Sequence, residues 1–257
     1  MKRSISLLSF LIPLFFVSLV YAAMNDWTVG NKIRIEQLLK HQKPLVVVVL
    51  EGGLLDTADR GEEYLEYLLK RGPIRKLNDK DKILQEYKDL LATDDIAAQK
   101  YFSNLLVDHK ASAVAHSTSK YFRKRLKNKI HPKVKILINT FTNNGFDVYL
   151  VSSQPRYLAL EAAEEIDLDK DYVIGVQNVI IGGKLTAKLQ EPIPVNSSAI
   201  NAIKNITDRK PSVVIGSSDQ DRHLLSYSEH LTIVINPDSP TRQVASTKGW
   251  VTQFFNR

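Results

Sequence analysis

Leu45-Val46-Val47-Val48-Val49-Leu50-Glu51-Gly52-Gly53 sets six apolar residues in a row, four of them valine, ahead of an acid and two glycines. β-Branched side chains suit a pleated surface, and a short apolar run without alternation reads as a strand covered on both faces. Strands of that kind belong in parallel sheets whose crossovers are helices. The glycine pair then marks a tight loop at the strand's carboxyl end, the edge at which open α/β sheets bind ligands.

The pattern repeats outward from this strand. Upstream, Ile33, Ile35, Leu38 and Leu39 recur at near-helical spacing until Lys43-Pro44 breaks them. Downstream, from Gly61 to Lys129, the apolar positions follow a mostly helical period (Tyr64, Leu65, Tyr67, Leu68, Leu69, then Ile83, Leu84, Tyr87, Leu90, Leu91) and no strand pattern intervenes. A helix through Val134, Ile136, Leu137 and Ile138 stops at Gly145, and a strand Val148–Val151 ends in Ser152-Ser153. Tyr172–Val176 and Val179–Ile181 look like a hairpin, Val213–Ile215 is a strand entering Gly216-Ser217-Ser218-Asp219-Gln220-Asp221, and Leu231–Ile235 is another buried strand. Trp250, Phe254 and Phe255 are expected to seal the last edge. The order predicts an α/β fold: a Rossmann-like, mostly parallel sheet from residues 24–58 and 135–257, with a helical cap, 59–134, inserted between.

Met1-Lys2-Arg3, an apolar run from Ile5 to Val20 and Tyr21-Ala22-Ala23 follow the charged, apolar and small-residue order of a secretory signal, expected to be cleaved after Ala22. The other reading of 1–23 is an uncleaved inner-membrane anchor, which Pro13 and the serines weaken. With no cysteine the chain has no disulfide and no acylation site, so the expected address is a bacterial periplasm, or secretion. The net charge is +7; without Lys2 and Arg3 the 33 basic and 28 acidic side chains leave +5, a mild preference for anionic partners that names no ligand.

Three loops at strand ends, Glu51-Gly52-Gly53, Ser152-Ser153 and Gly216 to Asp221, resemble in order and spacing the phosphate-transfer site of the haloacid dehalogenase superfamily. Within it the chain is similar to the exported group of phosphoserine and phosphorylcholine phosphatases, from Asn25-Asp26-Trp27 to Gly249-Trp250. Leu50 to Thr57 resembles the family's first motif, Asp59-Arg60-Gly61-Glu62-Glu63-Tyr64-Leu65 the segment leading into its cap, and Tyr149-Leu150-Val151-Ser152-Ser153 the second motif, whose serine holds a phosphate oxygen. Gly183-Lys184-Leu185-Thr186 fits the hairpin that follows it.

The resemblance also shows what is missing. The family's first motif is aspartate, any residue, aspartate: one carboxylate attacks phosphorus, the second protonates the leaving group, and both help hold magnesium. Those places fall on Val49 and Glu51. Valine has no lone pair to attack with and no oxygen for a hard cation, which closes the aspartyl-phosphate route. Glu51 occupies the acid/base place and can retain that role alone. The family's threonine is Gly53, and its lysine falls near Ser197 or Ser198, with Lys204 about two helical turns further on.

The candidate site is therefore Glu51 as a residual acid/base with Val49 at the nucleophile place, Gly52, Gly53, Ser152 and Ser153 as phosphate binders, and Asp219 and Asp221 as weak metal candidates. Competing readings accompany each. The two aspartates suit a helix N-terminus, the two serines suit a cap before Pro155, and Glu51 suits a partly solvated loop. No cofactor is expected, with magnesium only if the site works. The densest basic run, Lys120, Arg123, Lys124, Arg125, Lys127 and Lys129, reads first as a solvated helix face and otherwise as a surface for anionic lipid or an acidic partner. Nucleic acid is not expected, since no nucleic-acid fold signature accompanies it. The leading expectation is a catalytically silent phosphatase homologue of the cell envelope that binds a partner protein or a small anionic ligand. The alternatives are an active phosphomonoesterase working through Glu51 and a held water, and an envelope scaffold using the basic patch.

Overall fold

A computed structural model describes residues 27–40, 45–57 and 61–255. The expected signal segment 1–23, the helix breaker Lys43-Pro44 and Asp59-Arg60 lie outside the described residues. No helix among those described is long and apolar enough to cross a membrane.

The apolar run forms β1 (Leu45–Val49), every residue of it buried. Its alternate side chains serve two cores. Val46 and Val48 join the larger cluster, whereas Leu45, Val47 and Val49 join a smaller one on the other face. This is why the run does not alternate in polarity, and each such side chain contributes about 1.5–3 kcal/mol of burial. β1 is central in a six-stranded sheet in which all the pairings are parallel. Its other strands are β2 (Asp147–Pro155), β3 (Val173–Val176), β6 (Val213–Gly216), β7 (Leu231–Ile235) and β8 (Val251–Gln253), in the order β3-β2-β1-β6-β7-β8. Chain order reverses at β1, which is flanked by β2 and β6. The loops that follow these three strands thus converge on one crevice.

Helix α1 (Val29–Leu38) precedes β1, burying Ile35 and Leu38 and leaving Ile33 exposed. Trp27 meets Phe255 edge to face, ring centroids 5.3 Å apart, joining the two ends of the described chain. Between β1 and β2 run α2 (Glu62–Arg71), α3 (Lys80–Thr93), α4 (Asp95–Leu105), α5 (Ala111–Arg125) and α6 (Pro132–Asn143), with a short 3-10 turn at Lys127–Lys129. The first four pack around buried rings: Tyr64 lies 5.5 Å from Phe102 and 5.2 Å from Tyr121, and Tyr87 5.5 Å from Phe102. Helix α4 touches β2, so this helical layer sits on the carboxyl end of the sheet. The remaining helices are α7 (Arg156–Glu165), α8 (Ser198–Thr207), α9 (Arg222–Leu225) and α10 (Ser239–Lys248).

Two expectations need correction. The hairpin is not Tyr172–Val176 with Val179–Ile181. Val173–Val176 is the edge strand β3 of the main sheet, and the hairpin pairs β4 (Asn178–Ile181) with β5 (Lys184–Leu189) around Gly182-Gly183. Both glycines have positive φ, +57° and +76°, as a tight hairpin turn requires. The second correction concerns β2, which does not end at Val151 but continues through Ser152-Ser153 to Pro155. Its register against β3 shifts between Val151 and Pro155. Pro155 occupies the N-cap position of α7, and neither serine caps that helix.

Candidate active site

The three strand-end loops enclose a cleft of about 320 Å³. Val49, the last residue of β1, lies in its floor and is 6% exposed. The chain then turns sharply: the Leu54 N–H donates to the Val49 carbonyl at 3.0 Å and the Leu55 N–H to that of Leu50 at 2.8 Å. Two glycines allow this. Gly52 has φ +73°, and a side chain there would overlap Ser217 Oγ, which an added Cβ would meet at 1.8 Å. At Gly53 an added Cβ would stand 2.2 Å from the Val49 carbonyl oxygen. The threonine that the family resemblance expects at Gly53 therefore has no room in this loop.

Glu51 turns its carboxyl inward. Ser152 Oγ donates to Glu51 Oε1 at 2.5 Å and accepts from the Gln154 N–H at 3.0 Å. Burial pushes the Glu51 carboxyl up to about 7. The Ser152 hydroxyl and nearby backbone bonds pull it down, and the Asp221 carboxyl pushes it further up. Ser152 itself is fully buried and committed to Glu51, and the residues that β2 presents to the cleft are Val151 and Ser153. The shifted register of β2 belongs to this arrangement, since bulged strands re-aim side chains beside sites.

The third loop is held by its own acid. Asp221 Oδ2 accepts from the Ser217 N–H at 2.9 Å, the Ser218 N–H at 3.1 Å and the Ser218 hydroxyl at 3.3 Å, forming a capping box at a short 3-10 turn, Asp219–Asp221. Burial raises its pKa against the pull of these bonds. Asp219 is exposed, pairs with Arg222 and does not line the cleft. The helix-terminus reading of both aspartates thus fits their surroundings.

The magnesium implied by the family resemblance finds a poor ligand set here. Val49 offers no oxygen, Glu51 is desolvated and bonded to Ser152, and Asp221 spends one oxygen on three donors. Among the described residues no group of three His, Cys, Asp or Glu side chains could hold a metal ion. A hard cation wants six oxygen ligands and usually one or two free carboxylates, so no step is routed through it.

Sequence reasoning did not place several lining residues. Asp95 and Gln99 descend from α4, Asn196 comes from the loop before α8, and His131 and Asp238 come from the residues capping α6 and α10. Asn196 Nδ2 donates to Asp95 Oδ2 at 3.2 Å, tying the helical layer to the sheet side across the cleft. The lining carries five carboxyl groups, on Glu51, Asp56, Asp95, Asp221 and Asp238, and among the described residues no lysine or arginine. Lys204 stacks on the Tyr227 ring, 5.4 Å from its centroid, and does not line the cleft. The basic run is elsewhere. Lys120, Arg123, Lys124 and Arg125 are exposed on α5, Lys127 pairs with Glu165 at 2.7 Å, and half-buried Lys129 accepts from the Asp56 N–H through its carbonyl.

The fold agrees with comparisons against known proteins. The model of the haloacid dehalogenase-like hydrolase family matches residues 50–226, beginning one residue after Val49. No curated protein matches the chain in sequence. A protein of unknown function from Bordetella pertussis Tohama I superposes with a TM-score of 0.72 at 14% identity, covering 82% of this chain and 98% of that one. A functionally unknown protein from Anaerococcus prevotii DSM 20548 gives 0.65 at 13% identity, covering 90% and 92%. A phosphoserine phosphohydrolase-like protein from Francisella tularensis subsp. tularensis SCHU S4 gives 0.54 at 15% identity, covering 82% and 95%. Likeness at such identities is likeness of fold, and the family match over more than half of the chain, spanning the helical layer and three of the six strands of the sheet, places this chain in the haloacid dehalogenase-like hydrolase family.

Proposed function

We propose that this member of the family is catalytically silent as a phosphatase and uses its cleft for binding, in the cell envelope. The observation that carries this is Val49 in the floor of a cleft that, among the described residues, no lysine or arginine lines. Phosphoryl transfer is positioning plus stabilisation of negative charge, and it needs a nucleophile in line with phosphorus and cations around the oxygens. Here the nucleophile place is a hydrocarbon and the surrounding charges repel a phosphate dianion. The charged, apolar and small-residue order of residues 1–23 supports the envelope location.

A second reading rests on Glu51. A carboxyl raised to about 7 is matched to proton transfer at neutral pH and could activate a water molecule against a phosphate ester. One assay separates the two: purified protein with magnesium, tested on a panel of small phosphate esters beside Glu51→Gln. The silent reading expects the two proteins to give the same background. Turnover above the Glu51→Gln level overturns it in favour of the Glu51 mechanism.

A further inference from the structure

No residue of the hairpin β4–β5 lines the cleft. The hairpin is fixed at its base. Asn178 Nδ2 donates to the Ser103 and Thr186 carbonyls at 3.2 and 2.8 Å. Beside β5, the Asp108 N–H donates to the Leu185 carbonyl at 2.9 Å and the Leu185 N–H to that of His109 at 3.0 Å. The tip, by contrast, stands clear. A Cβ added at Gly182 or Gly183 would meet nothing within 4 Å, and Ile180 and Ile181, just before the turn, are 43% and 69% exposed. Successive residues of a strand face opposite sides, so each face of the tip carries an isoleucine. A protein partner lying on one face would leave the other isoleucine in water, whereas a lipid layer surrounds both.

The charges beside the tip favour the same partner. Ile181 pairs with Lys184, and Lys184 is bridged on its other side by Lys110. Like charges directly opposite each other on neighbouring strands repel. Residues 107–111 and 178–189 hold Lys110, Lys184 and Lys188 against one acid, Asp108. The basic run of α5 lacks the apolar half of this arrangement, since none of the exposed large apolar side chains among the described residues belongs to that helix. From the apolar tip and the paired lysines we infer that the hairpin docks on an anionic lipid bilayer, with Ile180 and Ile181 among the acyl chains and Lys110 and Lys184 at the headgroups. The lysine stems lie along apolar surface while their ammonium groups reach the lipid phosphates, which removes the repulsion of the pair. The +7 net charge draws the chain toward such a surface. This role goes beyond that of the cleft and does not depend on what the cleft binds.

The chain has no cysteine, so Ile181→Cys creates a single attachment point for an environment-sensitive fluorophore. The control carries the same label at Ile206→Cys, where α8 holds an isoleucine that is 52% exposed. Each labelled full chain, once its cooperative unfolding matches the parent, is mixed with phosphatidylglycerol vesicles and with phosphatidylcholine vesicles. On phosphatidylglycerol the label at position 181 is expected to shift to the blue and to be quenched by lipids with nitroxides on their acyl chains, and the label at position 206 to do neither. Because the signal arises at the hairpin, attachment of another part of the chain to the vesicle does not imitate it. Lys110→Gln with Lys184→Gln should weaken the response at position 181 at least about tenfold, given roughly fivefold per lysine at an anionic surface. A response at both positions, at neither, equal on the two lipids, or unchanged by the two glutamines overturns the inference. So does a shift at position 181 that needs no vesicles and grows with protein concentration, which would seat a second copy of the chain on the hairpin.

Discussion

Two charged regions of the chain, the cleft at the carboxyl end of the sheet and the last turn of α5, hold their charges in opposite surroundings. In the cleft, Glu51 and Asp221 are desolvated, bonded to hydroxyls and amides, and shifted upward in pKa by burial. On α5, Arg123, Lys124 and Arg125 stand in water at the helix's carbonyl end, where basic residues favour the macrodipole. The second region dominates the sequence and the net charge; the first governs the chemistry. The difference teaches that charge density along a chain does not indicate where electrostatics is strong, because the surrounding dielectric sets the scale.

The largest effect should come from adding one more acid to the cleft floor. Val49→Asp places a carboxyl where a 6% exposed valine pairs with Val151 and shares the smaller core with Val214, in the cleft that Glu51 and Asp221 also line. The cost of burying it without a partner should be about 4 kcal/mol, read as a lowered urea midpoint. A stability near that of the parent would mean that the floor is wetter than its burial indicates. The same substitution at an exposed α5 position, Lys124→Asp, should cost far less.

Gly53→Thr comes next. Its Cβ would stand 2.2 Å from the Val49 carbonyl oxygen, so the backbone of the loop must move, at a cost of about 3 kcal/mol by analogy with overpacked cores. If the variant unfolds at the parent's urea midpoint, the loop is more yielding than this contact allows. Restoring the family's threonine at this place should therefore not restore the family's loop.

Third is the pH dependence of stability. Glu51 titrates near 7 in the folded chain and near 4.5 when unfolded, so between these values the folded state holds the extra proton. Stability from this group is full below pH 4.5 and is lost as the pH rises through 7, by at most about 3 kcal/mol. Asp221, also raised by burial, adds slope of the same sign beginning near 3.8. Glu51→Gln should flatten the curve between pH 4.5 and 7 and leave the Asp221 part. A parent curve already flat over that range would show that Glu51 stays solvated.

Much of this was legible in the sequence, and the reasons are physical. A run such as Leu45–Val49 reads correctly because burial on both faces excludes polar residues from every position. Gly52 and Gly145 read correctly because a positive φ selects glycine locally, and Gly53 because the loop closes against the Val49 carbonyl. The hairpin misled because Val173–Val176 and Val179–Ile181 carry the same β-branched signature. Yet Ile180 and Ile181 are 43% and 69% exposed, and the partner strand, with Lys184 and Lys188, has no such signature. The extension of β2 through Ser152-Ser153-Gln154 has no local signal either, since the tertiary bond from Ser152 to Glu51 and the pairing with β3 hold it. In the cleft, Glu51 and the third loop could be found as strand-end residues. Asp95 and Gln99 could not, because helical periodicity gives the buried face of α4 without saying which part of the sheet it covers. A capping pair, Asp94-Asp95, was the only signal there.

The smallest effect sharpens the comparison from the other side. Replacing Lys124 and Arg125 together by glutamine keeps helix propensity nearly constant, so what changes is charge alone. Loss of two cations from the last turn of α5 removes a favourable dipole interaction of some 0.3–1 kcal/mol each at low ionic strength. Lowering a net charge of +7 relieves part of the chain's self-repulsion, with the opposite sign. The expected change is therefore below about 1 kcal/mol, and it should vanish near 1 M salt, where the screening length falls to about 3 Å. Urea midpoints of parent and variant at low and high salt measure it. A larger, salt-independent loss would mean that these side chains are not simply solvated, and the contrast with the cleft would fail at its weaker end. A small, screened change would leave the half-buried carboxyls of the cleft as the charges to which the fold is sensitive.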